Sequence, residues 1–212
     1  VQITHSPSKS IRSIYNLCKL NAKQIIENHL SKSDKYNFAF NDLKNKIGYK
    51  KSIKKIEAYD VSHISGSHAV ASCVVYTNEG PSKKEYRTFN IPKQLSGNDV
   101  GSLEHVIQRR IKYYDNKEIK PDLILIDGGK NQLNFSHDVI QNSGHKDIEV
   151  ISIVKGVNRI RATETVLSKD GIIEFNKDSK GYLLLQEIRD ESHRFANNAQ
   201  RKKKNAKNCF KA

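Results

Sequence analysis

Two aspartates stand where an acidic side chain is costly. Asp60 lies in the middle of "IEAYDVSHI", a stretch with the composition of a β-strand, and Asp127 ends the unbroken apolar run of "LILIDGGK". Singly, each has a plain explanation: a salt bridge or a solvent-facing position for Asp60, a helix cap for Asp127. Together they suggest chemistry. If the two strands are neighbours, the carboxylates face each other, and their repulsion either traps a proton or recruits a divalent cation. Hard oxygen donors of this kind suit Mg²⁺ or Mn²⁺, which can activate water and stabilise a phosphodiester during hydrolysis.

The "DGGK" beginning at Asp127 lacks the length and order of a phosphate-cradling nucleotide loop, so no nucleotide cofactor is expected. Its glycines instead allow a sharp turn that brings backbone and Lys130 toward a phosphate. Arg109, Arg110, Arg189 and Arg194 are further candidates for holding the phosphates of a scissile strand, because guanidinium forks match phosphate oxygens. Lys155, just after another apolar strand, stands at the same kind of sheet edge. His63 alternates away from Asp60 along a strand, which favours a structural hydrogen bond on the opposite face.

Net charge points the same way. Thirty-seven Lys and Arg against 23 Asp and Glu leave +14 over 212 residues, and such an excess favours a polyanionic partner, nucleic acid by default. The plainer source of that charge is a Lys-rich, Asn-rich composition spread over solvated faces. Three scattered cysteines without paired ligand spacing suggest neither a disulfide framework nor a zinc site, and fit a reducing cytoplasm. No apolar run approaches a membrane span.

The elements that must position these residues follow from periodicity. Residues 8–30 read as an amphipathic helix packed on the outside of the main domain, and a second helical piece ends at Gly48. Three antiparallel strands come next, then a helix carrying Leu103, Val106, Ile107, Ile111 and Tyr114 on one stripe. The "LILI" strand, a further helix, the strand "IEVISIVKG" and a weaker hairpin turning at Asp170-Gly171 complete the series. This order predicts an α/β fold: a mixed sheet in which three antiparallel strands are followed by parallel ones, flanked by helices. Asp127 then sits at a strand's carboxyl end, where such sheets place their chemistry. A last helix runs from near Ser179 to about Ala199, with Leu184, Leu185, Ile188, Ser192 and Phe195 on its core stripe and Gln186, Arg189, His193 and Asn197 away from it. Residues 1–50 are expected as a helical segment packing on a main domain of residues 51–200, with residues 201–212 a basic tail or linker.

Four segments also resemble a known family. "IEAYDVSHISGSHAVASCVVYTNEGPSKKEYRTFNI", "GND" followed by "RRI", "PDLILIDGGKNQL" and "LLLQEIRDESHRFA" are similar, in this order, to the carboxy-terminal endonuclease domain of UvrC, the incision subunit of bacterial nucleotide excision repair. The resemblance implies an RNase H-like endonuclease that uses a divalent metal to make the incision on the 5′ side of a lesion in double-stranded DNA. By motif, it carries metal-site roles onto Asp60 and Asp127, and a role as ligand or proton shuttle onto His193. A further acidic role falls on Asp99, in a segment reading "GNDV" where the family has "GDDY". Asn131 also stands where the family has glycine. The family resemblance implies targeting by UvrB, by UvrA indirectly, and by helix-hairpin-helix elements beyond residue 212. A catalytically silent basic module that binds nucleic acid is the alternative.

Overall fold

The computed structural model of the chain describes residues 11–64, 68–95, 97–117, 120–155 and 164–209, with side chains placed for all of these except 26–33, 62–64, 68–69, 116–117, 155 and 202–209. A single eight-stranded sheet organises it. The long strands β1 (Lys55–Ile64) and β2 (His68–Thr77) pair antiparallel, and β2 also pairs with the short β3 (Gly80–Pro81) and with β4 (Arg87–Asn90). Helix α2 (Asp99–Lys117) then crosses over to β5 (Leu123–Asp127), which lies parallel to β1. Helix α3 (Lys130–Asn142) leads to β6 (Glu149–Lys155), parallel to β5, and the hairpin of β7 (Glu164–Ser168) and β8 (Gly171–Ile173) closes the far edge. The strand order is β3-β2-β1-β5-β6-β7-β8. This is the mixed sheet that the sequence predicts, with one short extra strand.

Helices cover both faces, as a parallel segment requires. α2 and α3 pack on one side. On the other lies α4 (Lys180–Cys209), with α1 (Arg12–Lys46) packed against it. The run Leu123, Ile124, Leu125 and Ile126 is at most 1% exposed, so β5 is buried on both sides and its apolar continuity is explained.

Two helices are longer than expected. The two amino-terminal pieces are one helix, because neither Gly nor Pro interrupts residues 12–46, and it ends where Gly48 takes a left-handed φ of 70°. Among its described side chains, those in the core are at the carboxyl-terminal part, Tyr36, Ala39, Phe40 and Leu43. The residues meant to pack, Ile11, Ile14, Leu17 and Ile25, are each at least half exposed. The basic stretch after Ala199, expected as a linker, continues α4 to Cys209. Lys, Arg and Ala propagate a helix already nucleated, and positive charge is favourable at a helix carboxyl terminus.

Candidate metal centre

Strand register sets the site. β1 and β5 run side by side with Tyr59 opposite Ile126, so the next residue of each, Asp60 and Asp127, reaches the same carboxyl end of the parallel pair. β5 stops there. Gly128 and Gly129 turn the chain into α3, and the side-chain oxygen of Gln132 accepts a hydrogen bond from the Gly129 N–H at 2.8 Å. A Cβ on Gly128 would stand 2.0 Å from that same oxygen, so a side chain there would break the cap. The glycine turn therefore makes room for Gln132 to start the helix, leaving Asp127 at the lip of the sheet.

The third member comes from α4. Its apolar side packs on β1 and β2, and Ser72, opposite Asp60 in the β1–β2 register, meets the Ser192 hydroxyl and carbonyl at 3.3 Å each. The next residue, His193, lies across the two carboxylates: Nδ1 is 3.3 Å from Asp60 Oδ2 and Nε2 is 2.6 Å from Asp127 Oδ2. The close approach to Asp127 is a charge contact without hydrogen-bond alignment, so Asp127 Oδ2 is a buried acceptor lacking an aligned donor. Contact with Asp127, and then with Asp60, pushes the His193 imidazolium up to about 10 against the opposing effect of partial burial.

One donor atom from each of Asp60, Asp127 and His193 lies within 4.8 Å of the others, a spacing that a single cation can share. Two carboxylates and one imidazole thus meet at the end of the parallel pair. The hard carboxylate oxygens, one of them buried without an aligned donor, and the imidazole nitrogen fit a divalent metal.

The remaining candidates do not converge equally. Asp99 opens α2, is exposed and stands outside this group; its neighbour Asn98 accepts a hydrogen bond from the Gly101 N–H at 2.9 Å, so the Asn of "GND" serves as the helix cap. Lys130 is exposed at the first turn of α3, and Asn131 beside it leaves the turn intact. Arg109 is exposed with its guanidinium 5.5 Å from the Phe89 ring centroid. Arg194 is 55% exposed and holds Glu191 through two nitrogens at 2.6 and 2.7 Å. Arg189 is occupied by Glu164 and Asp190. The side chains of Lys155 and His63 lie outside the described residues.

Arg110 requires correction. It is 4% exposed and turned inward, with Nε 3.0 Å from Glu57 Oε2 and Nη2 2.6 Å from Glu57 Oε1, and so it cannot meet a phosphate at the surface. The signal was present: at 100° per residue Arg110 falls in the middle of the apolar stripe of α2, four residues after Val106 and three after Ile107.

The chain matches the family model described as the UvrC RNase H endonuclease domain over residues 44–197. It is 39% identical over 183 residues to UvrABC system protein C of Pseudomonas putida and 37% identical over 186 residues to that of Legionella pneumophila, covering 85% and 87% of this chain and 30% of each relative. The chain thus spans about a third of the length of the curated relatives it matches. Among solved structures, endonuclease V of Streptomyces avermitilis aligns over 81% of this chain and 94% of its own, at 10% identity and a TM-score of 0.41. No helix among the described residues is long and apolar enough to cross a membrane. Family model, motif order and the grouped site agree, and the chain belongs to the UvrC RNase H endonuclease domain family.

Proposed function

We propose that this domain hydrolyses a DNA phosphodiester, making the 5′ incision beside a lesion in nucleotide excision repair, with Mg²⁺ or Mn²⁺ held by Asp60, Asp127 and His193. The observation that carries the proposal is the meeting of these three side chains, from β1, β5 and α4, within 4.8 Å of one another. A divalent cation bound there supplies Lewis-acid polarisation of the phosphate and a water of lowered pKa. The protein's own part is positional and electrostatic. Asp60 is 5% exposed, and its strand fixes it against α4; Asp127 is held at the strand end by the glycine turn. His193, 40% exposed, is open to substrate and serves as a ligand or as a proton carrier to the leaving oxygen.

Phosphates approach from the exposed side. Lys130, Arg109 and Arg194 are the surface cations offered to the backbone, which positions the duplex without reading its bases. Asp99, at the start of α2, flanks the site in this reading as a third acidic residue. UvrB, with UvrA acting through it, delivers the lesion in the cytoplasm, as the family membership suggests. The test is an incision assay on lesion-bearing duplex, with the full-length relative carrying this domain and its partners, in Mg²⁺, in Mn²⁺ and in chelator. Cutting that persists in chelator overturns the metal reading, and absence of cutting in either metal overturns the nuclease reading.

A further inference from the structure

Helix α4 has to hold His193 to within a fraction of an ångström for the imidazole to face both carboxylates, and among the described residues the Ser72–Ser192 contact ties that turn of the helix to β2 through hydrogen bonds. A second attachment lies on the other side, at Glu164. This residue opens β7 and pairs with Lys155 two positions beyond Ile153, the residue opposite Asp127, so it stands at the same edge of the sheet as the metal centre. α4 grips it twice. The Tyr182 hydroxyl accepts from the Glu164 N–H at 3.2 Å and reaches the Glu164 carbonyl at 3.1 Å. Seven residues later, about 10 Å along the helix, Arg189 forms an ion pair with the Glu164 carboxylate.

Both side chains of that pair are largely buried, Arg189 at 14% exposed and Glu164 at 10%. Glu164 Oε2 is enclosed without a hydrogen bond, so the carboxylate depends on Arg189 for compensation. At 100° per residue, Tyr182, Arg189 and His193 fall within an arc of about 40°, one face of the helix turned to this edge. Two attachments at different heights fix both the slide and the rotation of a helix; a single contact fixes neither, and a slip of one residue moves the chain about 1.5 Å and turns it about 100°.

We propose that Glu164 and Arg189 are a positioning pair that sets the placement of His193, one turn further along α4, against Asp60 and Asp127. This rests on the reading of those three as a cation site. It also reassigns Arg189: with its guanidinium divided between Glu164 and Asp190, it acts on the helix and not on a phosphate.

The experiment uses the 212-residue chain. Mn²⁺ affinity is measured by calorimetry, the His193 ring ¹⁵N resonances are recorded without metal, and the thermal midpoint is taken for each variant. Glu164→Ala is expected to weaken Mn²⁺ binding about 10- to 100-fold, as loss of a support behind a ligand does, and to shift the His193 resonances. The isosteric Glu164→Gln is expected to move both in the same direction by less, and the reversed pair Glu164→Arg with Arg189→Glu to recover most of both. A Glu164→Ala chain with unaltered Mn²⁺ affinity and unaltered His193 resonances overturns the proposal, as does one in which only the thermal midpoint falls. If the wild type shows no saturable Mn²⁺ site that Asp127→Asn removes, the cation reading fails; the His193 resonances still decide the positioning pair.

Discussion

Glu57 and Asp60 are three residues apart on β1, both buried, and they point to opposite faces of the sheet. Glu57 is surrounded by donors. Arg110 reaches it through two nitrogens, the Tyr59 and Tyr114 hydroxyls donate at 2.6 and 2.5 Å, and Lys55 stands 3.8 Å away. Burial alone would raise its pKa, but the hydrogen bond and charge of Arg110, followed by the bonds from Tyr114 and Tyr59, hold it below the usual carboxylate range. Across the sheet, Asp60 and Asp127 share one imidazole, and a buried oxygen of Asp127 lacks an aligned donor. Residue class and burial are common to the two faces. What differs is the company: around Glu57 stand an arginine, two tyrosines and a lysine, whereas Asp60 and Asp127 meet at an imidazole in a group that can hold a metal ion.

The largest effect falls on the face of Asp60 and Asp127. Asp60→Asn or Asp127→Asn is expected to reduce incision on the order of 10⁴-fold, about 5 kcal/mol at 1.36 kcal/mol per tenfold, while the chain stays folded, its thermal midpoint lowered by the loss of one ion pair to His193. Single-turnover cleavage with the full-length relative, alongside circular dichroism, measures both. Wild-type cutting by either variant would remove that carboxylate from the site.

On the saturated face the cost is to stability. Arg110→Ala leaves Glu57 buried without its main partner and should destabilise the fold by about 3–5 kcal/mol, read by urea unfolding, with cleavage per folded molecule unchanged. The same pairing has a pH signature. Because the folded pKa of Glu57 lies below the unfolded value of about 4.3, its contribution is present above that pH and is lost as pH falls through the lower, folded value. Glu57→Gln should therefore flatten the acid limb of the stability profile. An unchanged acid limb would mean that Glu57 is not the group lost there.

A smaller effect separates the faces by proton count. In the metal-free chain His193 is protonated at pH 7, its pKa pushed to about 10, whereas a ligating imidazole must be neutral. Binding of Mn²⁺ should then release about one proton at pH 7, and affinity should climb with pH until about 10. Linkage has the opposite sign for metal-free stability: the His193 contribution is full below the unfolded value near 6.5 and is lost as pH rises through about 10. Calorimetry in two buffers of different ionisation enthalpy counts the proton. No release, or the same release from His193→Ala, would exclude the imidazole as the ligand that exchanges a proton for metal.

Much of this was legible in the sequence because strands with two buried faces write themselves as solid apolar runs. "LILI" ended by Asp127, and the costly charge of Asp60 in mid-strand, announced both carboxylates and the edge they share. His193 was legible only as far as the helical wheel reaches: the wheel places it away from the apolar stripe, but which surface that side meets depends on the docking of α4, which no local pattern encodes. Glu57 was hidden because a glutamate beside a tyrosine in a strand looks solvent-facing until Arg110 and Tyr114 arrive from a helix more than fifty residues on. The exposed stripe of α1 shows the converse, since apolar spacing predicts a face that can be buried without supplying what buries it.

The smallest expected effect contrasts two adjacent arginines. Arg109 and Arg110 are equivalent as residue types, yet α2 turns one out over Phe89 and the other into the Glu57 cluster. If Arg109 holds a phosphate, Arg109→Ala should weaken DNA binding by roughly tenfold or less and reduce the slope of log affinity against log salt by about 0.9, the share of one phosphate contact. The comparison partner is Arg110→Met, whose unbranched apolar side chain fills part of the vacated volume. At temperatures where that variant remains folded, its salt slope should equal the wild type's, because a guanidinium already neutralised by Glu57 releases no DNA counterion. Fluorescence anisotropy with a short duplex across a salt series measures both slopes. An unchanged slope for Arg109→Ala would return that residue to the ordinary solvated surface, and a lowered slope for Arg110→Met would show that the buried pair opens to meet DNA.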